Sequence, residues 1–162
     1  MRVERERTLR SIRRWTMLFM AVLIISGLTA VPLEWGTRVL VDLSSGWPHT
    51  WHDWAVKVHA ALVEVNEKHH FLFYGTDWLA FAHVVIALAF VDVLRDPVRN
   101  QWIIDWALIT CLLVVLFAFG WAPVRGIPFF WRCVDASFGI IAAIPLWHLR
   151  NLIRYLEPNS KI

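Results

Sequence analysis

His83, Arg132 and Asp135 are the residues of this chain whose types could act together as a chemical site. An imidazole base, a carboxylate to orient it and a guanidinium to clamp an anion would suit a reaction on a lipid phosphate or headgroup. The same three groups would equally make a hydrogen-bonded network that holds helices in register. That second reading is preferred, because no G-x-S-x-G or H-E-x-x-H pattern accompanies them. Arg132 and Asp135 are three residues apart and would pair within their own helix.

Seven histidines raise the question of a metal or haem. His83 lies within one apolar stretch and His148 at the end of another, and by helical rise they lie roughly 20 Å apart in depth. They cannot ligate one iron, so a b-type haem on His83 would need His69 or His70 folded inward from a loop. His52 and His59 share a helical face, but a separation of seven residues puts them about 10 Å apart, too far to chelate one ion unaided. A solvated or interfacial role is expected for the loop histidines, and no haem, metal or other cofactor is predicted.

Other polar residues fall into two layers when counted from the ends of the apolar stretches. The outer layer holds Glu34, Thr76, Asp77, His83, Arg132 and Asp135, with Ser26 and Thr29 just below. The inner layer holds Asp92, Asp105 and His148, with Arg95 and Arg150 nearby. Between them Val84–Phe90, Leu112–Phe119 and Phe138–Ala143 are apolar. No polar chain crosses that middle, so a transport path or proton wire finds no support. Ionisable groups at membrane depth face a bundle interior or a cavity, so both layers are read as structural.

The elements that position these residues are four apolar stretches, predicted at 15–32, 77–94, 102–121 and 129–147. A hydrocarbon core needs about 20 apolar residues per helix. Tryptophans flank nearly every stretch: Trp15, Trp35, Trp78, Trp102, Trp121, Trp131 and Trp147. Indole settles at headgroup level, with its body buried and its N–H wet. The chain is 58% hydrophobic, and its mean hydropathy of +0.52 is too apolar for a solvated surface. An all-α, integral membrane four-helix bundle in one domain, 1–162, is the expected fold.

Charge sets the expected topology. Eleven of sixteen cations lie on one side: Arg2, Arg5, Arg7, Arg10, Arg13, Arg14, Arg95, Arg99, Arg150, Arg154 and Lys161. Arg38, Lys57, Lys68, Arg125 and Arg132 lie on the other. Both termini are therefore expected in the cytoplasm, with loop 33–76 outside. The basic balance reads as attraction to anionic lipid, and nucleic-acid binding is excluded because the cations form short membrane-flanking runs. The N-terminus also fits a signal peptide, but Leu28-Thr29-Ala30 is a poor cleavage site, and an uncleaved span is expected.

Loop 33–76 carries a helix of its own. Thr50 and Asp53 resemble a capping box. Trp51, Trp54, Val58, Ala61, Leu62 and Val65 then recur at helical spacing, with Asp53, Lys57, Glu64 and Glu67 largely on the other face. An amphipathic helix on the outer surface follows. Thr37–Leu43 is read as extended. Asp96-Pro97 reads as the cap and first turn of the third helix. Cys111 and Cys133 differ in depth and are expected to stay free.

Three phrases together carry a resemblance: Tyr74–His83 (YGTDWLAFAH), Arg95–Arg99 (RDPVR) and Arg125–Arg132 (RGIPFFWR). They resemble a group of small four-span bacterial inner-membrane proteins of no assigned function, over about Tyr74 to Trp147. The resemblance implies a bacterial cytoplasmic membrane and four spans, and implies no activity and no catalytic residue. The expected role is a non-catalytic membrane scaffold or subunit that meets a membrane-protein partner or its own copies within the lipid bilayer. The alternative is a membrane enzyme, or a haem or metal protein, with its site in the outer layer.

Overall fold

The computed structural model describes residues 2–156; Lys161, counted above with the tail cations, lies outside them. Every regular element among the described residues is helical. The helices are α1 (Arg2–Leu28), α2 (Leu33–Leu43), α3 (His49–His69), α4 (Tyr74–Ala89), α5 (Val91–Arg95), α6 (Gln101–Gly120) and α7 (Phe129–Leu156), with short 3-10 turns at Ser44–Gly46, His70–Phe73 and Ala122–Arg125. Four segments are long and apolar enough to cross a membrane: Val3–Leu28, His49–Arg95, Gln101–Gly120 and Phe129–Leu156.

The chain divides into two compact units. One joins the first twenty residues to those from Leu88 onward; the other is Ala21–Ala87.

In the first unit α6 and α7 make the most extensive helix contact. α6 is apolar on every face, so its outward side chains are hydrophobic too: Leu112, Leu116 and Phe117 are 58–64% exposed. A helix apolar all round belongs in a core or in lipid. α7 buries Leu146, Leu149, Ile153 and Leu156 along one stripe at helical spacing. Ile12 of α1, Val93 of α5 and Ile103 and Ile104 of α6 are buried as deeply, all 0–3% exposed. Pro145 sits inside α7 and removes one backbone donor without ending the helix. Gly126 turns the chain between α6 and α7 at φ 70°, a conformation that costs a residue with a side chain. Closer in, a Cβ on Gly139 would lie 2.5 Å from the Cys111 carbonyl oxygen. Only glycine allows the backbones of α6 and α7 to approach this nearly, as expected of a small residue at a helix crossing.

In the second unit α2 and α3 form an antiparallel helical hairpin. Thr37–Leu43 is thus helix rather than extended. Leu33, Thr37, Leu40 and Ser44 lie along one helical stripe. α3 begins at His49, directly after Pro48, and no side chain caps it there. Its first donors bond backward instead: Trp51 and His52 N–H reach the Pro48 carbonyl at 2.9 and 3.3 Å. The Thr50 capping box is therefore not used. α1 stops at Leu28, and Glu34 belongs to α2 rather than closing the first span.

The second apolar stretch starts three residues earlier than predicted, at Tyr74, and breaks at Phe90 into α4 and α5. Asp96 Oδ1 accepts the Arg99 N–H at 3.1 Å, so it caps a turn, and α6 begins at Gln101.

Candidate functional site

The histidines of loop 33–76 make specific contacts. His59 Nδ1 lies 3.1 Å from Thr37 Oγ1, and His52 Nδ1 lies 3.1 Å from Ser44 Oγ. Each hydroxyl already spends its one hydrogen on a backbone carbonyl: Thr37 on Leu33 and Glu34, Ser44 on Val41. With that hydrogen so placed, the hydroxyl oxygens accept when Nδ1 carries the imidazole proton. A third rung follows further along, where Asn66 Nδ2 donates to Glu34 Oε2 at 2.7 Å. These rungs join α2 to α3 in antiparallel register. Of the loop histidines, for which a solvated or interfacial role is expected, His52 and His59 join a hairpin clasp. The missed signal is that Glu34, Thr37 and Ser44 share a helix face once 33–43 is read as helix.

The clasp leads to an open cleft of about 960 Å³. Glu34, Arg38, Asn66, His70 and Asp77 supply its polar groups, and Trp35, Phe71, Phe73 and Tyr74 supply rings. Arg38 and Asp77 make no hydrogen bond or ion pair with any described residue. The sequence placed Glu34 and Asp77 here in one layer; it did not single out Arg38, Asn66 or the rings. Thr76 turns back on itself, donating to the Phe73 carbonyl at 2.7 Å. His69 stacks edge-on against Phe71, with centroids 6.2 Å apart.

His83, in the same unit, places Nδ1 2.7 Å from the Leu79 carbonyl, four residues back in α4. That carbonyl can only accept, so Nδ1 carries a proton, and Nε2 has no described partner. Gly27 of α1 lies against the ring: an added Cβ would collide with His83 Cβ and Cγ.

Arg132 and Asp135 belong to the first unit. Arg132 Nε donates to the Ile127 carbonyl at 2.9 Å, and its guanidinium sits 5.7 Å from the Phe129 ring centre. Among the described residues no hydrogen bond or ion pair joins Arg132 to Asp135, so the pair expected within one helix is absent. Asp135 has no described polar partner and lines a mostly apolar groove of about 400 Å³ between α6 and α7. Thr110, Val114, Phe117 and Ala118 form much of its wall.

The inner layer is paired. Arg150 Nε donates to Asp105 Oδ1 at 2.5 Å and stacks 5.7 Å from the Trp147 ring centre. Arg95 bridges Asp92 at 3.1 Å, one turn along α5. Asn100 Nδ2 ties the following loop to the Asp92 and Asp96 carbonyls. His148 packs edge-on against Trp15 with centroids 5.4 Å apart. Cys111 is buried, Cys133 is exposed, and both are free thiols. No cluster of three or more His, Cys, Asp or Glu side chains suited to a metal is formed among the described residues. No family model, curated protein or solved structure matches this chain.

Proposed function

We propose that this is a non-catalytic subunit or scaffold of a bacterial cytoplasmic membrane, a four-helix bundle with both termini inside. In this reading α3 is an amphipathic helix on the outer face, and α2 clasps it. The observation that carries the proposal is Asp135: a half-buried carboxylate without a described partner, on a groove open along α6 and α7. An ionisable side chain within a span is costly unless another group satisfies it. The apolar wall around it suits a transmembrane helix, and the carboxylate suits one that brings a hydrogen-bond donor to the same depth. Arg132, one of the candidate catalytic groups, spends its Nε–H on the Ile127 carbonyl rather than on Asp135.

A photo-crosslinking residue at Thr110 or Leu113 tests the proposal in intact membranes. The expected product is an adduct with another integral membrane protein whose contacting helix carries a donor, lost in Asp135→Leu. Adducts with lipid alone would overturn the reading. Adducts with a second copy would replace it by homo-oligomerisation.

One observation favours a second reading, a cofactor protein or enzyme at His83. Its Nδ1–H is held by a carbonyl and its Nε2 is left open, the arrangement that orients a ligating or basic imidazole. An absorption spectrum and metal analysis of protein purified in mild detergent separate the two. The first reading expects no Soret band and no stoichiometric metal.

A further inference from the structure

We propose that the cleft between α2, the end of α3 and the start of α4 binds a zwitterion built of a phosphate and an amine, the chemistry of an aminophospholipid headgroup. Arg38 and Asp77 line the same cleft, carry opposite charge, and make no ion pair with each other or with any described residue. Two opposite charges left apart in one cleft match a ligand that carries both. The guanidinium fits phosphate oxygens in a two-pronged geometry that an ammonium cannot supply. Asp77 would take the amine, with the Tyr74 ring one turn away on the same helix as a second, cation-attracting surface.

The charge balance also selects against simpler ligands. A purely anionic headgroup would meet the carboxylates of Glu34 and Asp77, and a purely cationic ligand would meet Arg38. Glu34 is held in place by Asn66, so its charge is part of the wall. A volume of about 960 Å³ lies within the range of small-molecule sites and admits a headgroup with its glycerol. Trp35 and Tyr74 in its lining are of the residue types that settle at headgroup level. This inference rests on residues of Ala21–Ala87 and is independent of the Asp135 groove.

Native mass spectrometry of the full-length, delipidated protein tests it. The protein is offered phosphatidylethanolamine, phosphatidylglycerol, or soluble glycerophosphoethanolamine. Phosphatidylethanolamine is expected to be retained at least about tenfold better than phosphatidylglycerol, a difference the size of one charge-assisted contact. Asp77→Asn should abolish that preference, and Arg38→Gln should weaken retention of both lipids. Gel-filtration profiles like that of the parent protein would show that both variants fold. Binding of glycerophosphoethanolamine as tight as the lipid would support the zwitterion site and identify a soluble compound as its source. Equal retention of the two lipids, or a preference that Asp77→Asn leaves unchanged, would overturn the proposal.

Discussion

His59 Nδ1 of α3 meets Thr37 Oγ1 of α2 at 3.1 Å, across 22 residues of sequence. The hydroxyl hydrogen is already committed to carbonyls of its own helix. With Nδ1 protonated, the imidazole serves as donor in a contact that specifies the register of the hairpin, which in turn holds Glu34 and Arg38 on the cleft.

Removing an acceptor from this clasp tests its weight. Ser44 is fully buried, so Ser44→Ala leaves His52 Nδ1 without a partner and should cost about 1–2 kcal/mol. Thr37→Val does the same to His59 in a half-buried setting and should cost about 1 kcal/mol. Hydrogen exchange in detergent should show faster opening of α2 and α3 in both variants. Unchanged protection would mean the contacts do not hold the hairpin.

Glycine substitutions should separate by what a methyl group meets. Gly139→Ala drives Cβ toward the Cys111 carbonyl, a backbone atom that cannot swing aside, and should destabilise by about 1–3 kcal/mol. Gly27→Ala drives it into the His83 side chain near its root and should cost a similar amount. Gly36, within α2, has nothing near an added Cβ. Gly36→Ala should stabilise by roughly 0.5–1 kcal/mol through helix propensity. Unfolding titrations in detergent measure all three, and equal effects would refute the close helix approaches.

The Asp105–Arg150 pair should be more sensitive to losing one partner than to losing both. Asp105→Ala leaves the guanidinium of a largely buried Arg150 without its carboxylate, at a cost of about 1–3 kcal/mol, since the site is partly open to solvent. Asp105→Leu with Arg150→Leu should recover part of that loss. A double-mutant cycle on unfolding free energies reads the coupling. A coupling near zero would make the pair incidental.

Topology is accessible to labelling. Ser45 is exposed in the turn after α2, and Arg99 is exposed in the turn before α6. In a background with Cys111 and Cys133 replaced by alanine, Ser45→Cys should react with a membrane-impermeant maleimide in intact spheroplasts. Arg99→Cys should react only after lysis. The reverse pattern would invert the proposed orientation.

Much of the architecture was legible in the chain itself. All four predicted apolar stretches overlap helices long enough to cross a membrane. Asp105 and Arg150, which the sequence grouped near one another, do meet. The outer layer was only partly readable. Glu34 and Asp77 do line one cleft, but Arg132 and Asp135 do not pair, and Thr37–Leu43, read as extended, is helix.

What the sequence determined by itself is therefore the place and apolar character of the segments long enough to cross a membrane. These are properties of one segment at a time, dictated by backbone hydrogen bonding and by about 1.5 Å of rise per residue. Tertiary structure alone decided that Thr37 answers His59 and Glu34 answers Asn66. It alone left Arg38 and Asp77 apart on one cleft and Asp135 facing a groove. Each of these depends on which face a helix turns toward its neighbour, and packing between distant segments sets that rotation.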